Sequence, residues 1–333
     1  MIRPFDVRDF LLVSKLQNRG MLLNLEEALT QPYRPLLEAV VGCLPLQGMG
    51  VFTYVCDEMQ GGRRMAGFAQ ARIRKEGSEA DVVYLTPSLS VAEETVAVWC
   101  RLLEYLCLEA GEQGIQRIFA HLPEDGPEVE VFQQVGFSLY TREDVFRLVQ
   151  MPSDLSHPEM RTVRPQQPTD NWGLQGLYAA VAPRLVQQAE TFTARGWEAT
   201  SVSWLGQTKR EGYVMEDKGE VIGYLRIRKG QTGHWLKMLL HPQAYERADE
   251  LIKQSLSLLA EYPPRPSYCC LPRYQGGLRA PLEAKGFQLF ASQCAMVKHT
   301  TVRVKEPALK LVPALEKRAE AATPMMKTQG NVK

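Results

Sequence analysis

The segment LTPSLSVAEETVAVWCRLLEYL, residues 85–106, runs from the end of a predicted strand into a long predicted helix. Val98, Leu102 and Leu106 recur at helical spacing and predict one buried face. The free N–H groups of a first helical turn bind phosphate, usually where glycines let the anion approach the backbone. This turn has no glycine, and it carries Glu93 and Glu94. The segment therefore predicts a helix start in preference to a phosphate site.

The start of this helix also contains the pattern S-x-x-E at residues 90–93, which is typical of a capping box. In that arrangement the Ser90 side chain accepts from the N–H of Glu93, and the Glu93 carboxylate accepts from the N–H of Ser90. The Glu93 carboxylate then supplies the negative charge at the helix N-terminus, and side chains of the helix itself accept from the N–H groups there. A pyrophosphate placed there would be repelled by roughly 1 kcal/mol or more for each close carboxylate.

Four landmarks occur twice in the same order, which predicts an internal duplication. They are Arg3-Pro4 and Arg164-Pro165, MAGFAQARI (65–73) and VIGYLRIRK (221–229), Leu122-Pro123 and Leu271-Pro272, and VFQQVGFSLY (131–140) and PLEAKGFQLF (281–290). A Pro/Ser-rich stretch, QMPSDLSHPEM, separates the copies. We predict domains at 1–150 and 161–300, a linker at 151–160, and a partly disordered tail at 301–333.

Each copy has the same predicted order of elements. A helical stretch comes first, followed by three strands, a long helix, a strand, a short helix and a last strand. Apolar residues at helical spacing and runs of alternating residues carry this assignment. The pattern predicts a mixed α/β fold whose central sheet is mostly antiparallel and is flanked by helices, with one strand–helix–strand crossover per copy.

The charge is divided unevenly along a chain of 333 residues with a net charge of +1. Residues 1–150 carry 14 Lys+Arg and 21 Asp+Glu, a net of −7, and residues 151–333 carry 25 and 17, a net of +8. Opposite charges favour contact between the halves or bias the second half toward an anionic ligand, although two separate solvated surfaces explain them equally well. The overall balance predicts no nucleic-acid or membrane partner.

Several residue types are predicted to have structural roles and not roles in catalysis or ligand binding. The seven cysteines lack metal-ligand or redox spacing, so we expect reduced thiols, no bound metal and a cytoplasmic location. No run of 18 apolar residues is present. Arg226 and Arg228 alternate with Leu225 and Ile227 along a predicted strand, which favours a solvated outer face over a phosphate patch.

The order and spacing of these elements resemble the Gcn5-related N-acetyltransferase (GNAT) superfamily, as a tandem pair of GNAT-like domains. The residues that carry the resemblance are an Arg-Pro followed by Asp (IRPFDVRD, VRPQQPTD), strands that end in x-Pro before the long helix (VVYLTP, KMLLHP), the helix end LEAGEQGI, and a Gly-Phe after each short helix (QQVGF, EAKGF). The resemblance spans about residues 1–150 and 161–300.

The resemblance implies that acetyl-CoA, or another acyl-CoA, lies between two splayed central strands as a cosubstrate. Its pantetheine arm would pair with the strand before the long helix, and its pyrophosphate would bind at that helix's N-terminus. The implied cofactor-binding residues are Leu85, Thr86, Leu239, Leu240, Arg247 and Ala248. Copy 2 also lacks the loop glycines and has Asp249 and Glu250 at its helix start. Its Arg247 and its positive charge nevertheless make it the better candidate.

In the family, a tyrosine four residues before the Gly-Phe glycine often protonates the leaving thiolate. Phe132 and Leu282 stand at these positions, and we predict that both pack in a core. Tyr140 and Tyr274 are alternative acids. Asp81 and His234 are alternative bases, although a structural role is the more frequent one for such residues. No catalytic residue is assigned.

Two functions therefore remain open. In the first, at least one copy, preferably copy 2, transfers an acyl group from acyl-CoA to an amine of unknown identity. In the second, both copies have lost catalysis, and the chain is a binding or scaffold module. The order of elements favours the first function, and the missing glycines and tyrosine favour the second.

Overall fold

The computed structural model describes residues 1–43, 51–60, 62–74, 77–89, 93–152, 163–190 and 209–300. Three features predicted from the sequence lie outside these residues. They are the Ser90 cap, most of the linker at 151–160, and the tail at 301–333. The terms repeat 1 and repeat 2 below mean residues 1–150 and 161–300, the domain bounds that the sequence predicts.

Thirteen strands and nine α-helices are present in the described residues. The strands are β1 (Ile2–Pro4), β2 (Met21–Leu22), β3 (Val51–Gln60), β4 (Arg63–Ile73), β5 (Glu79–Thr86), β6 (Arg117–Pro123), β7 (Ser138–Leu148), β8 (Val163–Pro165), β9 (Lys209–Asp217), β10 (Glu220–Lys229), β11 (His234–Leu240), β12 (Ser267–Pro272) and β13 (Gln288–His299). The helices are α1 (Phe10–Leu16), α2 (Leu25–Thr30), α3 (Pro35–Gly42), α4 (Glu93–Glu112), α5 (Glu128–Gln134), α6 (Asn171–Val181), α7 (Arg184–Glu190), α8 (Ala248–Ala260) and α9 (Arg279–Ala284). The predicted mixed α/β class is confirmed.

All strands belong to one mixed sheet. Its order is β1-β3-β4-β5-β6-β13-β7-β12-β11-β10-β9-β8, and β2 pairs with β5 beside this path. Among the described strand pairs, β5–β6 and β11–β12 are parallel and the others are antiparallel. The helices α4 and α8 connect the two parallel pairs. Each repeat therefore contains the single strand–helix–strand crossover that the sequence predicts.

The last strands of the two repeats are exchanged at the centre of this sheet. β13 of repeat 2 lies between β6 and β7 of repeat 1, and it is antiparallel to both. β7 of repeat 1 in turn pairs with β12 of repeat 2. Each repeat thus completes the other's sheet, and the described parts of both repeats belong to one compact unit.

The helices divide between the two faces of the sheet. One face packs against α4, α5, α8 and α9, and its cores include Phe132 in repeat 1 and Leu282 in repeat 2. Both side chains are 0% exposed, so the predicted core roles of these two residues are confirmed. The opposite face, called the junction face here, packs against α1 and α3 in repeat 1 and against α6 in repeat 2.

Two short helices on the junction face cross from one repeat to the other. α2 of repeat 1 lies on repeat 2, where Leu29 packs in one cluster with Trp235 and Tyr268. α7 of repeat 2 lies on repeat 1, where Ala189 packs against Phe119. The Ala189 carbonyl accepts a hydrogen bond from Arg117 at 3.2 Å. This reciprocal packing adds a second connection between the repeats.

The prediction that Arg226 and Arg228 lie on a solvated outer face is wrong. Arg228 is only 4% exposed, and its Nη1 lies 3.0 Å from the Glu26 carboxylate on α2. Arg226 lies 3.8 Å from the same carboxylate. Alternation identified the correct shared face, but α2 comes from a distant part of the chain and covers it.

The charge split between the halves reappears in the ion pairs at their junction. Glu26 pairs with three arginines of repeat 2, Glu143 lies 3.9 Å from Lys237, and Glu124 and Asp144 both pair with Arg273. In each of these pairs the acid comes from repeat 1 and the base from repeat 2. The excess of opposite charge thus accompanies contact between the halves, one of the alternatives that the sequence left open.

Other composition-based expectations concern cysteine, metals and membranes. All seven cysteines are free thiols, and five of them are buried. Across the described ranges, His, Cys, Asp and Glu side chains form no group of three that is arranged to hold a metal ion. No helix within those ranges combines the length and the hydropathy required to cross a bilayer.

Candidate functional site

The cleft of repeat 1 lies where β5 and β6 separate. The two strands pair only over residues 79–81 of β5 and 117–119 of β6. Beyond that point the free edge of β5 pairs with β2, with Leu85 opposite Met21 and Tyr84 opposite Leu22. The N–H of Leu23 also donates to the carbonyl of Val83 at 2.9 Å. Backbone from the same chain therefore occupies the edge of β5 on which the sequence placed a pantetheine arm.

Further hydrogen bonds hold the segment before β2 against the end of β5. The Tyr84 hydroxyl donates to the carbonyl of Gln17 and accepts from the N–H of Gly20 at 3.0 Å. The Thr86 hydroxyl donates to the carbonyl of Leu16 at 3.3 Å. Residues 16–23 thus surround the end of the strand on which Leu85 and Thr86 lie.

The cleft of repeat 2 is closed by a side chain. β11 and β12 pair from His234 to Lys237 of β11 and diverge beyond it. Gln275 is 0% exposed and lies at the divergence. The N–H of Leu240 donates to Gln275 Oε1 at 2.9 Å, and Gln275 Nε2 donates to the carbonyl of Leu240 at 3.2 Å. One amide side chain therefore satisfies both backbone groups of Leu240 that face the cleft.

The start of the long helix in repeat 2 is a 3₁₀ turn at Pro242–Arg247, and α8 begins at Ala248. The Arg247 guanidinium donates to Glu250 at 3.0 Å and lies 3.8 Å from Asp217. The hydrogen bond to Glu250 raises the pKa of Arg247, and the charge is neutralised locally. Ala248 is 1% exposed and packs in the core of repeat 2.

These observations test the fit of an acyl-CoA to the two clefts. The residues present do not fit the group, because the strand edges that would pair with pantetheine already have hydrogen-bond partners. The helix starts lack glycine, and the Arg247 charge is already paired. The six predicted cofactor-binding residues lie on the strands and helix start that border the clefts, and their role toward a cofactor stays a prediction. They are Leu85, Thr86, Leu239, Leu240, Arg247 and Ala248.

The alternative acids and bases all have structural surroundings, and Tyr274 packs against the apolar cluster beneath α6. The Tyr140 hydroxyl donates to Glu190 at 3.2 Å. Asp81 accepts two hydrogen bonds from Arg74 at 2.9 and 2.6 Å, so although burial acts to raise the pKa of Asp81, Arg74 lowers it overall. His234 is 2% exposed, and burial lowers its pKa. An Asp81 with a lowered pKa is a weaker base, and a deeply buried His234 is shielded from a substrate.

Sequence reasoning missed a polar cluster at the centre of the exchanged strands. Glu143 of β7 is 4% exposed, and its carboxylate lies 3.8 Å from His121 of β6 and 3.9 Å from Lys237 of β11. Gln293 of β13 donates to it at 2.7 Å. Burial acts to raise the pKa of Glu143, but Lys237 and His121 lower it overall. No local signal predicts this cluster, because its members come from four strands of both repeats.

Comparisons with known proteins address the fold. No protein-family model and no curated protein sequence matches the chain. The structure is similar to that of a tandem GNAT protein from the clavulanic acid biosynthesis pathway, solved without AcCoA. The two share 15% identity at a TM-score of 0.52, over 90% of this chain and 98% of that one. The chain has the tandem GNAT fold.

A GCN5-related N-acetyltransferase from Sphaerobacter thermophilus is similar at 12% identity, over 90% of this chain and 95% of that one. Its TM-score of 0.49 adds nothing to the assignment, which rests on the first structure. The tandem GNAT fold confirms the fold that the sequence resemblance implied. Within this fold the closed clefts lie where the resemblance places acyl-CoA.

Proposed function

We propose that this tandem GNAT fold acts as a catalytically inactive binding module and that neither cleft takes acyl-CoA. One observation carries the proposal, namely that the chain itself occupies the hydrogen-bonding edge of the cleft strand in both repeats. A ligand entering the cleft of repeat 1 would have to displace β2 and expose Leu23, which is 2% exposed. Each lost buried hydrogen bond costs about 1 kcal/mol, and exposing a leucine side chain costs about 1.5–3 kcal/mol.

The positions of the general acid support the same conclusion. Phe132 and Leu282 occupy the places where the resemblance expects a tyrosine hydroxyl, and both lie fully inside cores. Neither side chain has a proton to donate. General acid catalysis typically contributes about 10²–10⁴-fold to a rate, so its loss leaves a slow catalyst at best.

A second function, acyl transfer to an amine through repeat 2, is favoured by one observation. A single side chain closes the cleft of repeat 2, whereas backbone closes the cleft of repeat 1. Rotation of Gln275 would free the edge of Leu240 without unfolding any strand. The pantetheine arm would then pair with Leu239 and Leu240, and the pyrophosphate would approach Arg247 and Ala248.

Isothermal titration calorimetry with acetyl-CoA tests these alternatives on the full chain. The proposed function predicts no saturable heat for the wild type and no thiol release in the presence of amines. Gln275→Ala opens the cleft of repeat 2, and Gln133→Ala, an exposed glutamine on α5, is the matched control. Binding that appears in Gln275→Ala alone would identify Gln275 as the residue that closes the cleft. Micromolar wild-type binding with amine-dependent thiol release would refute the proposed function and support acyl transfer.

A further inference from the structure

In one group of neighbouring side chains on the junction face of repeat 2, cations outnumber carboxylates. Four cations on β9, β10 and β11 face two carboxylates that repeat 1 contributes, an excess of two positive charges. The cations are Arg210, Arg226, Arg228 and Lys237, and the carboxylates are Glu26 and Glu143. Glu26 lies 3.0 Å from Arg228, 3.2 Å from Arg210 and 3.8 Å from Arg226, while Glu143 lies 3.9 Å from Lys237.

Two of these cations have unused hydrogen-bond donors. Toward the residues that the structure describes, neither Arg226 nor Lys237 donates a hydrogen bond, since their carboxylate neighbours at 3.8 and 3.9 Å are too distant. An arginine carries five donors and a lysine three. Arg228 beside them is 4% exposed, and its Nε also lacks a partner among the described residues. A buried donor without an acceptor is unfavourable, so the Nε of Arg228 calls for an acceptor, while Arg226 and Lys237 beside it have donors that a solute can reach.

The strand register brings these donors together. Arg226 stands directly opposite Lys237 on the neighbouring strand, so the two side chains share a face with Cβ atoms about 5 Å apart. On its other side Arg226 stands opposite Gly212, which has no side chain to fill the space. The side chains of Arg226 and Lys237 are 21% and 35% exposed, which leaves both within reach of a solute.

Lys237 keeps its charge in this position. Burial acts to lower the pKa of Lys237, but the nearby Glu143 carboxylate outweighs this effect and raises the pKa above its ordinary value. An arginine guanidinium carries a full positive charge in proteins. Both groups therefore present a full positive charge at neutral pH.

We propose that Arg226 and Lys237 form a binding site for a small anionic molecule that carries a carboxylate or phosphate group. The planar guanidinium offers two parallel N–H donors to such a group, and the ammonium adds a point charge from the adjacent strand. The site lies on the junction face, outside the two clefts. It therefore goes beyond the proposed function and is independent of whether either cleft takes acyl-CoA.

Titration of the full chain with inorganic phosphate and with succinate, at constant ionic strength in the absence of CoA, tests the site. We expect saturable binding of one equivalent and at least a tenfold loss of affinity in Lys237→Met and in Arg226→Met. The control Lys253→Met removes a lysine that is 47% exposed on α8 and should leave the affinity unchanged. Binding of phosphate alone, succinate alone or both identifies the chemical source of the anion.

A measurement on the wild type covers the case in which these variants fail to fold. Amine-reactive labelling followed by mass spectrometry should modify Lys237 at least fivefold more slowly when the anion saturates the site, with no change at Lys253. The absence of saturable binding by either anion overturns the proposal. It is equally overturned if the two lysines are protected to the same degree, or if Lys253→Met weakens binding as much as Lys237→Met.

Discussion

At the scale of single residues, Glu26 shows how one carboxylate joins the two repeats. It extends from α2 of repeat 1 and faces three arginines of repeat 2, with its side chain 13% exposed. Burial acts to raise the pKa of Glu26, but Arg210, Arg226 and Arg228 outweigh it, so the pKa is lowered well below its ordinary value. The charged form of Glu26 is therefore stabilised by folding.

Glu26→Gln keeps the shape of the side chain and removes its charge. Removing one partner of a buried ion pair leaves the other charges unpaired and costs about 3–5 kcal/mol of the free energy of unfolding. Urea unfolding at pH 7 measures this loss. Glu130→Gln, at an exposed position on α5, is the control and should change the free energy of unfolding by less than about 0.5 kcal/mol.

The pKa of Glu26 also predicts how this loss depends on pH. The folded value lies below the ordinary value of 4.5, so the stabilisation is complete above about pH 4.5 and is lost as the pH falls below it. The difference between wild type and Glu26→Gln should therefore be smaller at pH 3.5 than at pH 7, by roughly 1 kcal/mol. An equal difference at both pH values would contradict the assigned cause.

At the scale of elements, the two-residue strand β2 has an effect out of proportion to its length. It closes the cleft of repeat 1, and its position depends on close contact between Gly20 and Tyr84. A Cβ at Gly20 would lie 2.4 Å from the Tyr84 ring, which is too close for any side chain. Glycine at this position thus lets the segment before β2 approach β5.

Gly20→Ala should displace this segment, remove the hydrogen bond to the Tyr84 hydroxyl and lower the free energy of unfolding by about 1–3 kcal/mol. Gly176→Ala is the matched control, because a Cβ there meets no atom within 4 Å and the residue is exposed on α6. That variant should be neutral, or more stable by up to about 1 kcal/mol. Equal effects of the two substitutions in urea unfolding would show that β2 does not depend on this contact.

At the scale of the whole molecule, the exchange of β7 and β13 joins the described parts of the two repeats in one compact unit. Separation would remove β13 from between β6 and β7 and β7 from beside β12. It would also expose the apolar contacts of α2 and α7. The repeats therefore resemble an intertwined dimer whose subunits share one chain.

Cleavage of the connection between the repeats tests this arrangement. With a specific protease site inserted within residues 153–160, we expect the cut chain to elute at the volume of the uncut chain and to separate only in denaturant. The uncleaved variant that carries the same insertion is the control. Separation of the fragments in native buffer, with each half folded, would show that the exchanged strands do not hold the repeats together.

The duplication, the mixed α/β class and the core positions of Phe132 and Leu282 follow from the sequence pattern, and the tandem GNAT fold follows from the resemblance of its landmarks to that superfamily. Periodicity and the order of landmarks carry these features, and both are local properties of the chain. They do not specify which copy supplies a strand, and a strand exchange leaves the pattern within each copy unchanged.

The state of the clefts and of the junction face depends on contacts between distant parts of the chain. Leu240 and Gln275 lie 35 residues apart, and Glu26 and Arg228 lie 202 apart. Contacts over such separations leave no trace in the periodicity of either segment. The alternation of Arg226 and Arg228 predicted one shared face, but α2 decided that this face is buried. The sequence of a strand likewise does not show whether a cofactor, β2 or a glutamine amide satisfies the hydrogen bonds of its edge, because backbone groups are common to every sequence.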